Sequence, residues 1–246
     1  MSPSTARSSV QVSSFAELGR VVVPEPLPEG FALFYTTGDY GGAIVPGLTA
    51  FLRERFGIAA DLVTCTQVHG AVVGRAEARP HTVCGQASAC PSECDALFTD
   101  QRNLALGIKV ADCLPVTLCD PAHRVIANIH SGWRGAVQNI VAATLDTLAA
   151  GTAFDPRDAF AYLGPSIRVC CFEVGEEVAA QFDARFVERA GAKPHVDLAA
   201  FTEELLRRRG VGNIIDTKMC TKCGDPLFHS YRRDRKSGRN LAIAAQ

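Results

Sequence analysis

Residues 103–150 read NLALGIKVADCLPVTLCDPAHRVIANIHSGWRGAVQNIVAATLDTLAA, three apolar runs of strand length followed by a helical pattern. The runs at 103–111, 115–120 and 124–130 are bounded by turn residues, which is typical of β-strands. Asp120-Pro121 predicts a hairpin-like reversal between the last two runs, so the sheet is mixed rather than purely parallel. After the third run the chain passes through a tight Gly turn into a helix. The predicted fold class is α/β in the broad sense (α+β), with mixed β-sheets flanked by helices.

Apolar periodicity and end residues indicate three further helices. The first spans about 46–57, with a proline in its first turn and a glycine at its end. The second spans about 176–186 and carries aromatic side chains on one face, which we expect in the core rather than against a stacked base. The third spans about 197–210, with Asp197 as its N-cap.

Length and composition predict one globular domain, since the chain has 246 residues, 47% of them apolar and 21% charged. We assign this domain to residues 19–246. Residues 1–18 contain no apolar segment of the kind found in secretory signals, so we expect a disordered tail. A net charge of −1 provides no general basic surface for nucleic acid. No stretch is long enough to cross a membrane, so the predicted location is the cytoplasm. The sequence does not indicate any protein partner.

Three short segments each place one soft metal ligand at the junction of a strand-like run and a turn. They are TQVHG with His69, KVADCLPV with Cys113 and ANIHSGWRG with His130. Strand ends that are far apart in sequence can converge in space, and three ligands with one open position are typical of catalytic zinc. Taken singly, each residue is more often a packed or surface side chain. Their shared setting, in loops that follow apolar runs, favours a mononuclear zinc site.

The ten cysteines are expected to be mostly small buried side chains in a cytosolic chain of this size. Cys84, Cys90 and Cys94 could join the Cys220–Cys223 pair in a second zinc site, but a single C-x-x-C is weak evidence and reduced structural thiols are favoured. The adjacent Cys170–Cys171 pair is predicted to point to opposite faces of a strand, where a shared metal is not expected.

Six segments in matching order resemble the YfiH-like family, which is variously named laccase-domain, polyphenol oxidase and purine nucleoside phosphorylase and is related to FAMIN. The resemblance covers about residues 60–245 and implies a single-domain α-β sandwich. Its motifs are CTQVHG (65–70), CDALFTD (94–100), LGIKVADCLPVTLCD (106–120), IANIHSGWRG (126–135), YLGPSIRVCCFEVGEEV (162–178), and FHSYRRD with GRNLAIA (228–234, 238–244).

The resemblance implies a zinc-dependent purine nucleoside phosphorylase. Such an enzyme converts adenosine, inosine, guanosine or methylthioadenosine, together with phosphate, into free base and ribose 1-phosphate. Adenosine deaminase activity is also implied. The implied metal ligands are His69, Cys113 and His130, and purine nucleosides and phosphate are the implied binding partners.

Proton transfer at the site is assigned to Cys113, Asp112 or Glu173. Substrate and phosphate binding is assigned to Gln67, Arg134 and Arg233. Arg134 lies at the predicted helix start, where backbone N–H groups and a planar guanidinium suit phosphate. Arg232 and Arg233 form a second basic pair, although both sites could equally be surface charges.

Other readings stay open because FALFYTTGDYGGAIVPGL (31–48) departs from the Arg-Gly-Gly-type motif usual in the family. One is a non-enzymatic metal- or nucleoside-binding protein. Another is a hydrolase that edits cell-wall precursors with Cys113 as nucleophile. Multicopper laccase activity is disfavoured because six histidines and one internal methionine are too few for blue and trinuclear copper sites. Copper could still occupy the His/Cys site in vitro.

Overall fold

The computed structural model describes residues 9–15, 18–40, 46–78, 93–223 and 226–246 of the chain. In chain order, the strands are β1 (Ser9–Phe15), β2 (Gly19–Glu25), β3 (Ala32–Thr36), β4 (Asp61–Thr64), β5 (Val73–Arg75), β6 (Ala96–Thr99), β7 (Leu104–Val110), β8 (Leu114–Asp120), β9 (Val125–Ser131), β10 (Phe160–Leu163), β11 (Val187–Glu188), β12 (His195–Val196), β13 (Asn213–Asp216) and β14 (Asn240–Ala245). The helices are α1 (Pro46–Phe56), α2 (Trp133–Val137), α3 (Ile140–Gly151), α4 (Glu176–Ala179) and α5 (Leu198–Arg208).

Two six-stranded mixed sheets form the centre of the fold. The first has the order β1-β2-β3-β14-β7-β4, and the second has the order β13-β10-β8-β9-β6-β5. Pairs β4–β7, β5–β6 and β10–β13 are parallel, and the other pairs within the two sheets are antiparallel. The mixed sheets flanked by helices that the sequence predicts are therefore confirmed.

Three apolar clusters give the fold its layers. One lies between the two sheets, and it takes residues such as Leu106 from β7 and Ile126 from β9. A second packs α1 on the outer face of the first sheet, and the third packs α2, α3 and α5 on the outer face of the second sheet. The architecture is thus an α-β-β-α sandwich. Because the central strands are buried on both faces, their sequences are nearly continuous apolar runs.

Most elements predicted from the sequence have the expected bounds. The predicted strands at 103–111, 115–120 and 124–130 correspond to β7, β8 and β9, and β8 pairs with β9 as an antiparallel hairpin. Helix α1 ends just before Gly57, whose φ of 68° favours glycine. The side chain of Asp197 accepts a hydrogen bond from the N–H of Ala200, as an N-cap of α5 should.

The predicted disordered tail is wrong for part of its length. Ser9–Phe15 forms strand β1, which pairs antiparallel with β2. Only Val10, Ser13 and Phe15 of SVQVSSF are half-buried and the other four positions are exposed, as in an edge strand, so the polar composition concealed a strand. Residues 1–8 of the predicted tail lie outside the described part of the chain.

Two helix predictions need correction. The helix predicted over 176–186 ends at Ala179, and Asp183 caps a separate short 3₁₀ turn that ends at Phe186. The helix predicted after β9 is broken into α2 and α3 at Asn139, whose φ is 61°. Asparagine tolerates this left-handed conformation better than most residues, so the break needs no glycine or proline.

The structure also corrects the cysteine predictions. Cys170 and Cys171 lie in the turn at 169–171, so they do not alternate across a strand. Cys94 is buried beside β6, and its carbonyl accepts a hydrogen bond from the Cys65 thiol. The predicted participants Cys84 and Cys90 lie outside the described residues.

No helix in the described ranges is long and apolar enough to cross a membrane.

Candidate metal centre

The three predicted ligands meet at one edge of the sandwich, where the chain crosses between sheets. His69 lies in the crossing from β4 to β5, and Cys113 lies in the crossing from β7 to β8. His130 is the penultimate residue of β9 and pairs with Pro115 of β8, which brings it next to Cys113. The ligand atoms of the three side chains lie within 4.8 Å of one another. The convergence predicted from the sequence is therefore present in the structure.

Access to this cluster comes from one side. His130 is 3% exposed and forms the floor, Cys113 is half-buried, and His69 is exposed at the rim. The two imidazole rings lie 4.8 Å apart and nearly perpendicular, at 80°. One thiolate and two imidazoles arranged in this way fit a zinc or copper ion and leave a coordination position toward solvent.

Asp95 organises the cluster from behind. Its carboxylate is fully buried and accepts a hydrogen bond from Nδ1 of His130 at 2.7 Å. It also accepts hydrogen bonds from the backbone N–H groups of His69 at 2.9 Å, Gly70 at 2.7 Å and Val68 at 3.2 Å. His69 adopts a φ of 62°, and this left-handed turn directs consecutive N–H groups to one carboxylate. Since Nδ1 of His130 donates to a carboxylate, Nε2 is the nitrogen left available to ligate a metal.

Burial and hydrogen bonds set the charges of these groups in the absence of a metal. Burial raises the pKa of the Cys113 thiol, but hydrogen bonds and charge from His130 and His69 outweigh it and lower the pKa to about 6. Burial lowers the pKa of His130, but Asp95 and Cys113 outweigh it and raise the pKa to about 9. Burial likewise raises the pKa of Asp95, and its bonds to His130 and to backbone N–H groups lower it further than burial raises it. The metal-free cluster is therefore a thiolate–imidazolium–carboxylate row near neutral pH.

Gly132 allows the ligands to approach the β9–α2 turn. A Cβ atom at this position would lie 3.0 Å from Sγ of Cys113 and 3.3 Å from Cδ2 of His69. Both contacts are tighter than ordinary van der Waals contact, so an added Cβ atom would shift the Cys113 and His69 side chains by a few tenths of an ångström unless it moved itself.

Two pockets meet at the ligands, and His69, Cys113 and Tyr231 line both. The first pocket has apolar walls with two guanidinium groups at its rim, and its further lining includes Trp133, Ile167, Phe172, Leu198, Arg134 and Arg232. The second pocket is more polar, and its further lining includes Thr66, Gln67, Lys109 and Arg239. The cluster of His69, Cys113 and His130 therefore lies between a largely apolar pocket and a more polar, cationic pocket.

Asp112, a predicted proton-transfer residue, lines the first pocket but has its carboxylate engaged. It accepts hydrogen bonds from the hydroxyl of Thr221 at 2.6 Å and from the backbone N–H of Arg232 at 2.7 Å. Its φ of 85° is unusual for a residue other than glycine and directs the carboxylate away from Cys113 toward these two loops. The geometry gives Asp112 a positioning role in the pocket wall.

Three predicted site residues have other contacts in the structure. The Glu173 carboxylate is exposed, pairs with Lys193 at 3.0 Å, and is not part of either pocket lining. Arg233 donates to the carbonyls of Thr221 and Phe228 and likewise lies outside both linings. The Gln67 amide lines the second pocket but donates to and accepts from the backbone of Lys109.

Of the residues predicted to bind phosphate, Arg134 lines the first pocket. Its guanidinium stacks on the neighbouring Trp133 ring, with Cζ 4.5 Å from the ring centroid. Of the basic pair in SYRRD, Arg232 lines the same pocket, whereas Arg233, to which binding was assigned, does not. Arg232 lies over the Phe172 ring and donates to the Glu173 carbonyl at 2.7 Å.

Asp95 and Lys109 are site residues that the sequence patterns did not indicate. An acidic residue at the start of the otherwise apolar run CDALF is the signal that could have identified Asp95, because a buried carboxylate requires several donors. No comparable signal marks Lys109, the one exposed position in an otherwise buried strand β7.

Known proteins resemble this chain along most of its length. The family described as multi-copper polyphenol oxidoreductase laccase matches residues 26–246. A purine nucleoside phosphorylase from Deinococcus radiodurans is 37% identical over 201 residues, which cover 79% of this chain and 74% of that protein. Adenosine deaminase RL5, from an unknown prokaryotic organism, is 33% identical over 184 residues, which cover 70% of each. Protein NMB0706 of Neisseria meningitidis superposes with a TM-score of 0.73 at 26% identity, covering 96% of this chain and 98% of that chain.

Proposed function

We propose that this chain, which belongs to the YfiH-like family described as multi-copper polyphenol oxidoreductase laccase, is a zinc-dependent purine nucleoside phosphorylase. The relatives named purine nucleoside phosphorylase support this reaction class. The observation that carries the proposal is the open cluster of His69, Cys113 and His130 between an apolar and a cationic pocket. A phosphorylase must hold a flat base and a phosphate on opposite faces of one ribose, and two pockets that meet at one centre suit this requirement.

The first pocket has the chemistry to hold the purine. Trp133 and Phe172 provide aromatic surfaces for the base, and Ile167 and Leu198 complete an apolar wall. Arg134 and Arg232 lie on these aromatic rings, so their guanidinium groups are held in place before substrate binds. Their free N–H groups can donate to acceptors on the purine edge.

The second pocket has the chemistry to hold phosphate. Lys109 and Arg239 supply positive charge beside Thr66. The Gln67 amide fixes the backbone of Lys109, because it donates to the Lys109 carbonyl and accepts from the Lys109 N–H. This amide therefore contributes to phosphate binding by positioning the lysine. Arg239 also donates to two backbone carbonyls, which limits its motion.

Cleavage of the glycosidic bond develops positive charge on the ribose and negative charge on the departing base. Zinc held by His69, Cys113 and His130 would supply a Lewis acid with one open position, which stabilises negative charge on an oxygen or on the leaving group. The chain's own residues bind the two reactants, keep them in line and exclude water behind the apolar wall. Asp112 keeps the Thr221 and Arg232 loops in place on the pocket side of Cys113.

Adenosine deamination is the second candidate, and it is favoured by the 33% identity to the protein named adenosine deaminase RL5. The H-x-E and P-C-x-x-C motifs of known zinc deaminases are absent from the sequence. Any deamination would therefore use the His-Cys-His cluster, with water as the attacking group in place of phosphate. Both reactions would share the purine pocket, so one set of substrates tests both.

The experiment uses zinc-loaded full-length protein with inosine and adenosine, with and without phosphate. Free base, ribose 1-phosphate and newly formed inosine are separated by chromatography. We expect base and ribose 1-phosphate in equal amounts, only with phosphate, and a rate at least about 100-fold lower in His69→Ala. His123→Ala is the matched control, because His123 pairs with Asp120 away from both pockets.

Other outcomes would support the alternative hypotheses of a binding protein, a deaminase or a cysteine hydrolase. Zinc-bound wild-type protein that leaves both nucleosides intact would contradict the phosphorylase and support a binding protein. Conversion of adenosine to inosine without phosphate would support the deaminase. Hydrolysis of cell-wall precursors by metal-stripped protein, lost in Cys113→Ala, would support a cysteine hydrolase.

A further inference from the structure

Four cysteines from two distant segments form a second cluster, outside both pockets. Cys170 and Cys171 lie in the turn after β10, and Cys220 and Cys223 lie in the loop after β13. Their four Sγ atoms all lie within 4.8 Å of one another, and those of Cys170 and Cys223 are 3.5 Å apart. Because β10 and β13 are neighbouring parallel strands, the turns that follow them lie side by side.

We propose that Cys170, Cys171, Cys220 and Cys223 bind a second zinc ion as a closed, structural tetrathiolate site. Zinc–sulfur bonds of about 2.3 Å place tetrahedral sulfur atoms about 3.8 Å apart. The Cys170–Cys223 distance of 3.5 Å and the upper limit of 4.8 Å for all pairs are close to this value, so a zinc ion requires only small side-chain adjustments. Four thiolates from a Cys-Cys pair and a Cys-x-x-Cys pair leave no position for substrate, which distinguishes this site from the three-ligand centre.

Backbone hydrogen bonds support the same assignment. Ser166 and Cys220 form a parallel β-bridge between the two segments. Two backbone bonds, from Ser166 N–H to Met219 and from Thr221 N–H to Ser166, hold the two segments in this register. The ligand frame is therefore fixed by the main chain.

A disulfide is the competing chemistry for these thiols. A disulfide needs sulfur atoms about 2.05 Å apart, whereas all four cysteines are free thiols in the structure and the sulfur atoms of Cys170 and Cys223 are 3.5 Å apart. One disulfide would use only two of the four thiols, and two disulfides would leave the mutual approach of all four sulfur atoms without a function. A metal uses all four, and this is the reason for preferring zinc.

The second zinc would hold together the walls of the purine pocket. Phe172, which lines that pocket, follows Cys171 directly, and Thr221, which binds Asp112, follows Cys220 directly. A zinc ion that joins the two segments therefore fixes an apolar wall and the Asp112 loop at once. This consequence concerns structure and does not depend on which reaction the first centre catalyses.

The test is the zinc content of full-length protein purified without chelators, measured by plasma mass spectrometry against protein concentration. We expect two zinc ions per wild-type chain and one in the double variant Cys220→Ser with Cys223→Ser. We also expect one in the double variant His69→Ala with His130→Ala, which retains all four cysteines. Cys65→Ser, a thiol outside both clusters, is the matched control and should keep two.

The His69→Ala with His130→Ala variant provides a second readout that does not require the cysteine variant to fold. With cobalt in place of zinc, it should show the strong thiolate-to-metal charge-transfer bands of a tetrathiolate site. Removal of its remaining metal should lower the thermal midpoint by at least about 5 °C. Hydrogen exchange should rise in residues 166–173 and 217–223.

Two results would overturn the proposal. One is a His69→Ala with His130→Ala variant that takes up no metal when reduced and supplied with excess zinc. The other is native protein in which peptide mapping finds a Cys170–Cys223 disulfide and in which reduction followed by zinc addition gives no second ion.

Discussion

Replacement of Asp95 by Asn removes the charge behind His130 while keeping the side-chain volume. Each Asp95 oxygen accepts two N–H groups, Oδ1 from His130 and His69, and Oδ2 from Gly70 and Val68. Whichever oxygen becomes an NH₂ group, two N–H donors then face another donor. An unsatisfied buried donor costs about 1–3 kcal/mol, and the backbone donors are only part-buried, so we take about 1–2 kcal/mol for each donor and expect a loss of about 2–4 kcal/mol in the free energy of unfolding.

The same substitution should weaken metal binding. The carboxylate that orients a ligating histidine is typically worth about 10- to 100-fold in metal affinity, which corresponds to about 1.4–2.7 kcal/mol. Stability is measured by urea unfolding of chelator-treated protein, and zinc affinity is measured by competition with a chromogenic chelator. The expected stability loss corresponds to a thermal midpoint about 5–15 °C lower for a chain of this size.

Asp100→Asn is the matched control, because this carboxylate lies in the same CDALFTD segment but at the surface. It pairs with Arg75 at 2.8 Å and its side chain is 33% exposed, so its loss should cost less than about 1 kcal/mol and should not change zinc affinity. If Asp95→Asn bound zinc within twofold of wild type and unfolded at the wild-type urea concentration, the role assigned to Asp95 would be refuted.

Three further predictions concern single residues. Gly132→Ala should lower zinc affinity at least about tenfold in the same competition assay, since its Cβ would lie 3.0 Å from the Cys113 sulfur, whereas Gly151→Ala, with no atom within 4 Å of the added Cβ, should not. In metal-free protein, alkylation of Cys113 should be half-maximal near pH 6 and fall below it, because the pKa of this thiol is lowered to about 6. Cys119, whose pKa burial raises to about 12, should stay unlabelled in mass-spectrometric mapping; equal labelling of both thiols at neutral pH would contradict the assignment. Arg233→Ala should lower the free energy of unfolding by about 2–3 kcal/mol in urea, because the Arg233 guanidinium donates to backbone carbonyls. A variant with normal stability but a raised KM for phosphate would show that Arg233 binds phosphate, as the sequence predicted.

Local sequence signals were sufficient for part of the fold and of the site. The hairpin of β8 and β9 follows from apolar runs separated by Asp120-Pro121, and it places Cys113 beside His130 without any long-range information. The central strands and helix α5 also have strong local patterns. The edge strand β1 was missed because half-buried edge strands are polar enough to resemble a tail.

Residues that act through long-range contacts could not be assigned in this way. Arg232 and Arg233 are adjacent in a loop, and only the packing of that loop on Phe172 decides which side chain reaches the pocket. The approach of Cys170 and Cys171 to the Cys220–Cys223 pair depends on the parallel pairing of β10 with β13, across about fifty residues of sequence. Periodicity carries no information on such pairings.

The central claim is that the cluster of His69, Cys113 and His130 carries phosphorolysis, and its most direct test is the return of activity to metal-free protein. Zinc is added stepwise, and the phosphate-dependent release of hypoxanthine from inosine is followed together with zinc binding. We predict that the rate rises in proportion to the occupancy of this centre and that no activity returns in His130→Ala. Full phosphorolysis by the metal-free protein, or by His130→Ala, would contradict the account.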